Sequence, residues 1–270
     1  MDLNSKVRLI SGNEMPIIGL GSWKLNEHTA DTIVEALNMG YPMIDTSGDY
    51  GTQPGIGEGI KKSGVSRNDF FLVTKVEEDE ESYLATRRDL EELDLDYADL
   101  MLIHRPPKHG SGEELWQGLI QAKKEGYTKD IGVSNYSIEQ IDDLIMSSGV
   151  TPAVNQIEWS PYGFNEEMRD YCGENGIILQ AYSPLTRGER LHEALVELIA
   201  EKHNTTPALV LIRWALQSGT VPIVKANKLE HLKENLGVFD IRLDAEDMND
   251  LNSLNEEYSS LGIKPVYMQQ

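Results

Sequence analysis

The sequence predicts an α/β protein, a closed barrel of eight parallel strands with helices between them. Three observations predict it. Eight short apolar runs recur along the chain, each followed by a longer segment of helical period. The runs are too continuously apolar to be half-exposed strands of an antiparallel sheet. The 270 residues suit one such barrel, which takes roughly 250, so a single domain over residues 1–270 is expected.

Taken in order, the chain opens with VRLISGNEMPII, which reads as a β-hairpin with Ser11, Gly12 and Asn13 at its turn, placed to close the bottom of the barrel. The eight strands are expected near 17–21, 43–45, 70–75, 99–104, 130–135, 153–156, 177–182 and 221–225. Pro222 is awkward in the last of these, because it has no N–H for a ladder. Asn26 is placed to cap a helix that buries Ala30, Ile33, Val34 and Leu37. Ser137 to Gln140 resembles a capping box ahead of Ile141, Leu144 and Ile145. Leu191, Ala194, Leu195, Leu198 and Ile199 follow a helical stripe. Thr206-Pro207 reads as an N-cap followed by proline at the first helical position. No stretch looks like a linker or an exact repeat.

Composition narrows the function. A 40% hydrophobic content supplies a large core. The lone Cys172 has no partner for an internal disulfide and is expected to be a buried thiol in a helix. The first residues lack a basic stretch followed by an apolar one, and no run approaches the ~20 apolar residues of a membrane helix. The chain is therefore expected to be cytoplasmic, without a membrane partner. Lys plus Arg number 24 against 45 Asp plus Glu, a net charge of −21. Such a surface repels nucleic acid, so a phosphate-bearing ligand needs a local basic pocket. The acidic run EEDEE at 77–81 reads as solvated surface.

The informative polar residues fall where strands end, which is where barrel sites form. Asp45, Lys75, His104, Asn135, Gln156, Tyr182 and Lys225 each close an apolar run, and Tyr50 follows Asp45 by five residues. Asp, Tyr, Lys and His make chemical sense together. A phenol with an ordinary pKa of about 10 is a reluctant proton donor, and a nearby ammonium is expected to lower that value. A carboxylate fixes the lysine, and a histidine hydrogen-bonds and orients a carbonyl group. The set suits protonation of a carbonyl oxygen while another group delivers hydride. No GxGxxG fingerprint, hydrolase elbow or metal-ligand spacing competes with it, and no metal is expected.

The stretches MPIIGLGSW, IDTSGDYG, VTKV, DLMLIH, IGVSNY, VNQIEWSPY, AYSPL and VPIVKANKLEHLKENLGVFDIRL, in that order and spacing, resemble the aldo-keto reductases over nearly the whole chain, in the manner of compact bacterial or fungal members. The resemblance implies a (β/α)8 TIM barrel that binds a nicotinamide cofactor without a Rossmann domain, with Asp45, Tyr50, Lys75 and His104 as the catalytic tetrad and Tyr50 as general acid in reduction. It implies that Ser134, Asn135 and Gln156 hold the carboxamide and that Tyr182 stacks under the ring. Gly21 and Ser22 would lie near the nicotinamide ribose. Ser183, Leu185 and Arg187 would follow the loop past the pyrophosphate. Lys225, Lys228 and His231 would lie near the adenosine 2′-phosphate, and Glu234 and Asn235 near adenine.

The chain departs from the family pattern in ways that bear on function. Ala226 replaces a usual serine or threonine, and His231 stands where an arginine commonly clamps the 2′-phosphate. NADPH is still expected, with NADH left open. His104-Arg105-Pro106 replaces a frequent HWP, and Glu77 stands where tryptophan is frequent, so Glu77 and Arg105, with Trp23, are the expected substrate-pocket residues. Arg105 is expected to favour polar or carboxylate-bearing carbonyl compounds unless Glu77 neutralises it. The expected partner is a small carbonyl substrate, and the expected state a monomer or weak homo-oligomer. Two function classes stay open, an NAD(P)H-dependent carbonyl reductase and a cofactor-binding barrel serving as a sensor or regulatory protein with little turnover. The complete tetrad favours the reductase.

Overall fold

The structure, a computed structural model, describes residues 1–262, Pro265 and Tyr267, with the side chain of Asn26 outside that description. Two short strands, β1 (Lys6–Arg8) and β2 (Glu14–Pro16), form an antiparallel hairpin in which Val7 faces Met15. Gly12 turns it with φ 93°, a left-handed conformation that glycine adopts without steric cost. Eight further strands follow: β3 (Gly19–Gly21), β4 (Met43–Asp45), β5 (Phe71–Val76), β6 (Ala98–Ile103), β7 (Thr128–Ser134), β8 (Val154–Glu158), β9 (Ile178–Tyr182) and β10 (Val221–Lys225). They close a parallel barrel in the order β10-β3-β4-β5-β6-β7-β8-β9. Each expected strand is present within a few residues. Pro222 is tolerated at the second position of β10, before pairing with β3 begins at Ile223 opposite Gly19.

The hairpin seals the bottom by burial. Leu9 and Met15 join Met43, Phe71, Val73, Leu100, Leu102, Val154, Val221 and Ile223 in one apolar cluster. Asn13 Nδ2 donates to Asp130 Oδ2 at 2.8 Å, which pins the turn. Gly19 leaves room for this packing, since a Cβ there would lie 2.8 Å from Ile223 Cδ1 and 3.0 Å from Met43 Cε.

Ten helices surround the barrel among the described residues: α1 (Thr29–Asn38), α2 (Gln53–Ser63), α3 (Ser82–Glu92), α4 (Glu113–Lys124), α5 (Ile138–Ser148), α6 (Glu166–Glu174), α7 (Ala194–Lys202), α8 (Pro207–Gln217), α9 (Leu229–Leu236) and α10 (Ala245–Asn252). The capping box at Ser137 and Gln140 forms as expected, and Thr206 caps α8 through Leu209 N. Cys172 is buried in α6, where burial pushes its thiol up to about 12. Two expectations need correction. A 3-10 turn over Asn26–His28 precedes α1, so His28 holds the cap position of the α-helix. The stripe assigned to α7 is displaced. The helix starts only at Ala194 and buries Val196, Ile199 and Ala200, while Leu198 is exposed. Among the described residues no helix is long and apolar enough to cross a membrane.

Candidate active site

The parallel strands all point their C-terminal ends to one mouth. Asp45 ends β4 there, Lys75 stands one residue before the end of β5, and His104 follows β6 directly. Tyr50 ends a 3-10 turn over Gly48–Tyr50, and Gly51, at φ 65°, lets the chain reverse into α2. The structure brings all four residues together.

At the base lies a buried ion pair. Lys75 Nζ donates to Asp45 Oδ1 at 2.8 Å and to Thr46 O at 2.7 Å. Lys75 is 0% exposed and Asp45 3%. Gln156 Nε2 donates to the other oxygen, Asp45 Oδ2, at 2.7 Å, so both carboxylate oxygens are satisfied. Such a pair persists only when its remaining polar capacity is met. Lys75 Nζ lies 5.1 Å from the centre of the Tyr50 ring. That ring meets His104 edge-on, with centroids 5.6 Å apart and planes at 73°.

The electrostatics correct one expectation. The Tyr50 phenol is not shifted down. Burial and the carboxylates Asp45, Asp49 and Glu77 raise it well above its ordinary value, with only Arg105 opposing them. Burial accounts for most of the discrepancy, and Asp45 adds to it, because it pairs with the ammonium that was expected to stabilise a phenolate. Tyr50 thus holds its proton firmly at neutral pH. Burial, with Lys75 and Arg105, pulls His104 down to about 3.

A second layer fixes the residues around β7 to β9. Ser134 Oγ donates to Gln156 O at 2.7 Å. Asn135, at φ 64°, reaches back to His104 O through Nδ2 at 3.1 Å. Tyr182 donates its hydroxyl to Asn135 Oδ1 at 2.8 Å and accepts from Tyr267. Glu158 N donates to the Tyr267 hydroxyl at 2.9 Å. Neither Glu158 nor Tyr267 was picked out from the sequence, because nothing in it signals that a residue near its end packs under β8 and β9. On the opposite side, Gly21 pairs with Lys225 across β3 and β10, and Ser22 Oγ lies 3.3 Å from Thr52 Oγ1.

Basic residues gather on the β3, β9 and β10 side. Lys24 Nζ stands 4.2 Å and Arg187 Cζ 4.6 Å from the centre of the Trp23 ring. Trp23 therefore packs with this basic group. Ser183 and Arg187 take φ of 50° and 53° in the short loop around half-buried Leu185. Burial and, to a smaller extent, neighbouring Lys24 lower Lys225. Lys228 directly precedes α9 without a capping hydrogen bond from its side chain, and His231 is exposed in its first turn. Glu234 and Asn235 are engaged within the fold, Glu234 accepting from Thr206 Oγ1 at 2.6 Å and Asn235 hydrogen-bonding Tyr41.

The acidic run is only partly in solvent, with Asp79 and Glu81 exposed. The Glu77 side chain is 13% exposed and meets His104 Nδ1 at 2.7 Å, Glu81 caps α3, and Glu80 pairs with Arg88. Arg105 is held by Glu77 at 3.2 Å, Asp49 at 3.3 Å and Glu78 at 3.6 Å. Its charge is outweighed locally, which is the condition under which Arg105 is not expected to favour carboxylate-bearing substrates. Asp49, Glu77 and His104 cluster closely enough to hold a cation, and the Arg105 guanidinium already serves the two carboxylates.

Comparison with known proteins agrees with this geometry. The model of the Aldo/keto reductase family matches residues 17–256. The chain is 40% identical over 262 residues to "Glyoxal reductase" of Bacillus subtilis, covering 94% of each protein. It is 44% identical over 256 residues to an aldo-keto reductase of Mycolicibacterium vanbaalenii, covering 93% of this chain and 92% of the relative. The crystal structure of a Bombyx mori aldo-keto reductase in complex with NADP superposes with a TM-score of 0.90 at 29% identity, covering 98% of each chain. Motifs, barrel, site geometry and these matches lead to one statement: the chain belongs to the aldo/keto reductase family.

Proposed function

We propose that this protein is an NADPH-dependent reductase that converts an aldehyde or ketone to an alcohol, with Tyr50 as the proton donor. The observation that carries the reading is the buried Lys75–Asp45 pair at 2.8 Å beneath a tyrosine that burial and carboxylates keep protonated. A general acid must carry its proton when the substrate arrives, and this one does. Lys75 lies beneath the phenol ring and offsets the negative charge that develops on the oxygen as the proton leaves. His104, against the same ring, orients the substrate through hydrogen bonding. Tyr182, tied to Asn135, offers a fixed aromatic face.

The residues fit a dinucleotide phosphate. In a chain of net charge −21, Lys24, Arg187, Lys225 and Lys228 form no ion pair among the described residues, and burial with neighbouring Lys24 lowers Lys225. Lys225, Lys228 and His231 would hold the 2′-phosphate and Arg187 the pyrophosphate. Ser134, Asn135 and Gln156 would hold the carboxamide. The nicotinamide supplies the hydride when bound.

The test is Tyr50→Phe, assayed by NADPH oxidation with a reactive aldehyde. A turnover loss of about 10²–10⁴-fold is expected, with cofactor affinity, read by fluorescence titration, nearly unchanged. Turnover close to wild type removes Tyr50 as the acid. An absence of turnover in the wild type with every carbonyl tried favours a sensor or regulatory role.

A further inference from the structure

A line of hydrogen bonds runs from the backbone of β8 to the backbone just after β6, through two phenol hydroxyls. Glu158 N donates to the Tyr267 hydroxyl at 2.9 Å. Tyr267 and Tyr182 join hydroxyl to hydroxyl. Tyr182 meets Asn135 Oδ1 at 2.8 Å, and Asn135 Nδ2 donates to His104 O and to Ser134 Oγ, each at 3.1 Å. Both ends of the line have fixed polarity, because a backbone N–H only donates and a backbone carbonyl only accepts. From the His104 end, the Asn135 amide must turn its nitrogen to the carbonyl, so its oxygen receives and Tyr182 gives its proton there. From the Glu158 end, the Tyr267 oxygen already accepts, so its own proton is left for Tyr182. The two ends impose the same direction on every member. Tyr267 is itself fixed. It is 1% exposed in the apolar cluster that also holds Ile157, Trp159 and Ala181, and its carbonyl accepts from Asn165 Nδ2 at 2.9 Å. Tyr182, at the end of β9, is only half-buried, so packing leaves more of its orientation to the hydroxyl.

We infer that Tyr267 is a positioning residue, whose hydroxyl fixes the ring of Tyr182 and, through it, the amide of Asn135, the two groups that would meet the nicotinamide. The inference rests on the cofactor reading above and extends the nicotinamide site to a residue 109 positions along the chain from Glu158. Tyr267→Phe keeps the ring that fills the core and removes only the oxygen. The Glu158 N–H is then left without its acceptor, and Tyr182 loses the donor that directs its own proton to Asn135. The Tyr182 ring and the Asn135 amide are freed to tilt together, and a nicotinamide must order both when it binds, which costs affinity. The adenosine half of the cofactor, placed by Lys225, Lys228 and His231 on the far side of the mouth, touches none of these groups.

The test has a spectroscopic arm and a binding arm, both on the full chain. With tyrosine carrying ¹³C at its ζ carbon, the isotope splitting in mixed light and heavy water reveals hydroxyls that exchange slowly, and Tyr182→Phe and Tyr267→Phe assign the two signals. Both hydroxyls are expected to exchange slowly in the wild type, and that of Tyr182 to exchange faster in Tyr267→Phe. A Tyr182 signal unchanged by Tyr267→Phe overturns the inference. Affinities are read by fluorescence titration. Tyr267→Phe is expected to weaken NADP⁺ about 3- to 10-fold, the ordinary worth of a neutral hydrogen bond. Adenosine 2′,5′-bisphosphate, which lacks the nicotinamide half, is expected to bind as before. Added to Tyr182→Phe, which already cuts the line, the same substitution is expected to cost nothing further, since the two residues act as one unit. Equal weakening of both ligands marks a general loosening of the fold and overturns the inference. So does an unchanged affinity for NADP⁺, or a full loss on top of Tyr182→Phe. If NADP⁺ does not bind the wild type, the function proposed above fails, and the exchange of the Tyr182 hydroxyl still decides the role of Tyr267.

Discussion

The mouth of the barrel has two unlike halves. On the β4 to β6 side every cation is matched: Lys75 by Asp45, and Arg105 by Asp49, Glu77 and Glu78. On the β3, β9 and β10 side, Lys24, Arg187, Lys225 and Lys228 have aromatic or solvent neighbours and no carboxylate partner among the described residues. The difference matches the two tasks of the proposed function. Matched charges in a dry site are rigid and control where a proton sits. Unmatched charges at a rim are held ready for an anion that arrives from solution. The strongly acidic chain makes the second half informative, because a basic cluster is uncommon against that background.

The comparison can be broken most forcefully from the matched half. Lys75→Met leaves Asp45 buried without its partner. Removing one member of a buried pair costs about 3–5 kcal/mol, measured as a lowered urea midpoint, and adding Asp45→Asn is expected to recover much of it. An undiminished midpoint would mean that the pair is hydrated. In the unmatched half, Lys225→Gln is expected to weaken NADPH about 10-fold or more, within the worth of a charged hydrogen bond. NADH should be little affected, and the loss should shrink in high salt. Titration of both cofactors at two ionic strengths checks this. His231→Arg is the converse change. A guanidinium forks onto phosphate where imidazole does not, so about a 10-fold gain in NADPH affinity is expected without a gain for NADH. Equal changes for both cofactors would put α9 away from the 2′-phosphate.

The smallest effect is expected at Arg105. Because three carboxylates already occupy it, Arg105→Trp is expected to change the kcat/KM ratio of a keto acid to its neutral ester by less than about 3-fold, in line with the modest worth of half-exposed ion pairs. A large shift towards the ester would show that the guanidinium is free to bind substrate during turnover.

Much of this was legible before any coordinates, for identifiable reasons. Strand ends are readable because a parallel barrel demands continuous apolar runs, and a polar residue such as Asp45 or His104 marks where a run meets the mouth. Caps at Ser137 and Thr206 are readable because they depend on neighbours within three residues. Pairings between distant loops were not. The link from Glu77 to His104 joins residues 27 apart in the chain. In the sequence Glu77 is the first of five acids and, by the family resemblance, a pocket residue near Arg105, and neither reading ties it to His104. The phenol's direction of shift was missed for the same reason. The motif places Lys75 near Tyr50, whereas the burial of the phenol and the carboxylates that face it, Asp45, Asp49 and Glu77, are set only by the folded site.

Tyr267 ties a distant part of the chain to the site. Its hydroxyl accepts from Glu158 N and adjoins Tyr182, its carbonyl accepts from Asn165 Nδ2 at 2.9 Å, and its ring is 1% exposed. Ser259 Oγ, at 2.6 Å, and Ser260 N, at 2.8 Å, also donate to the otherwise buried Glu158 carboxylate. Ser259, Ser260 and Tyr267 thus act as a keystone set more than 100 residues along the chain from Glu158. Without them Glu158 lacks these partners and Tyr182 lacks the hydroxyl beside it, so the aromatic face beside the reaction centre is finished only when they are in place.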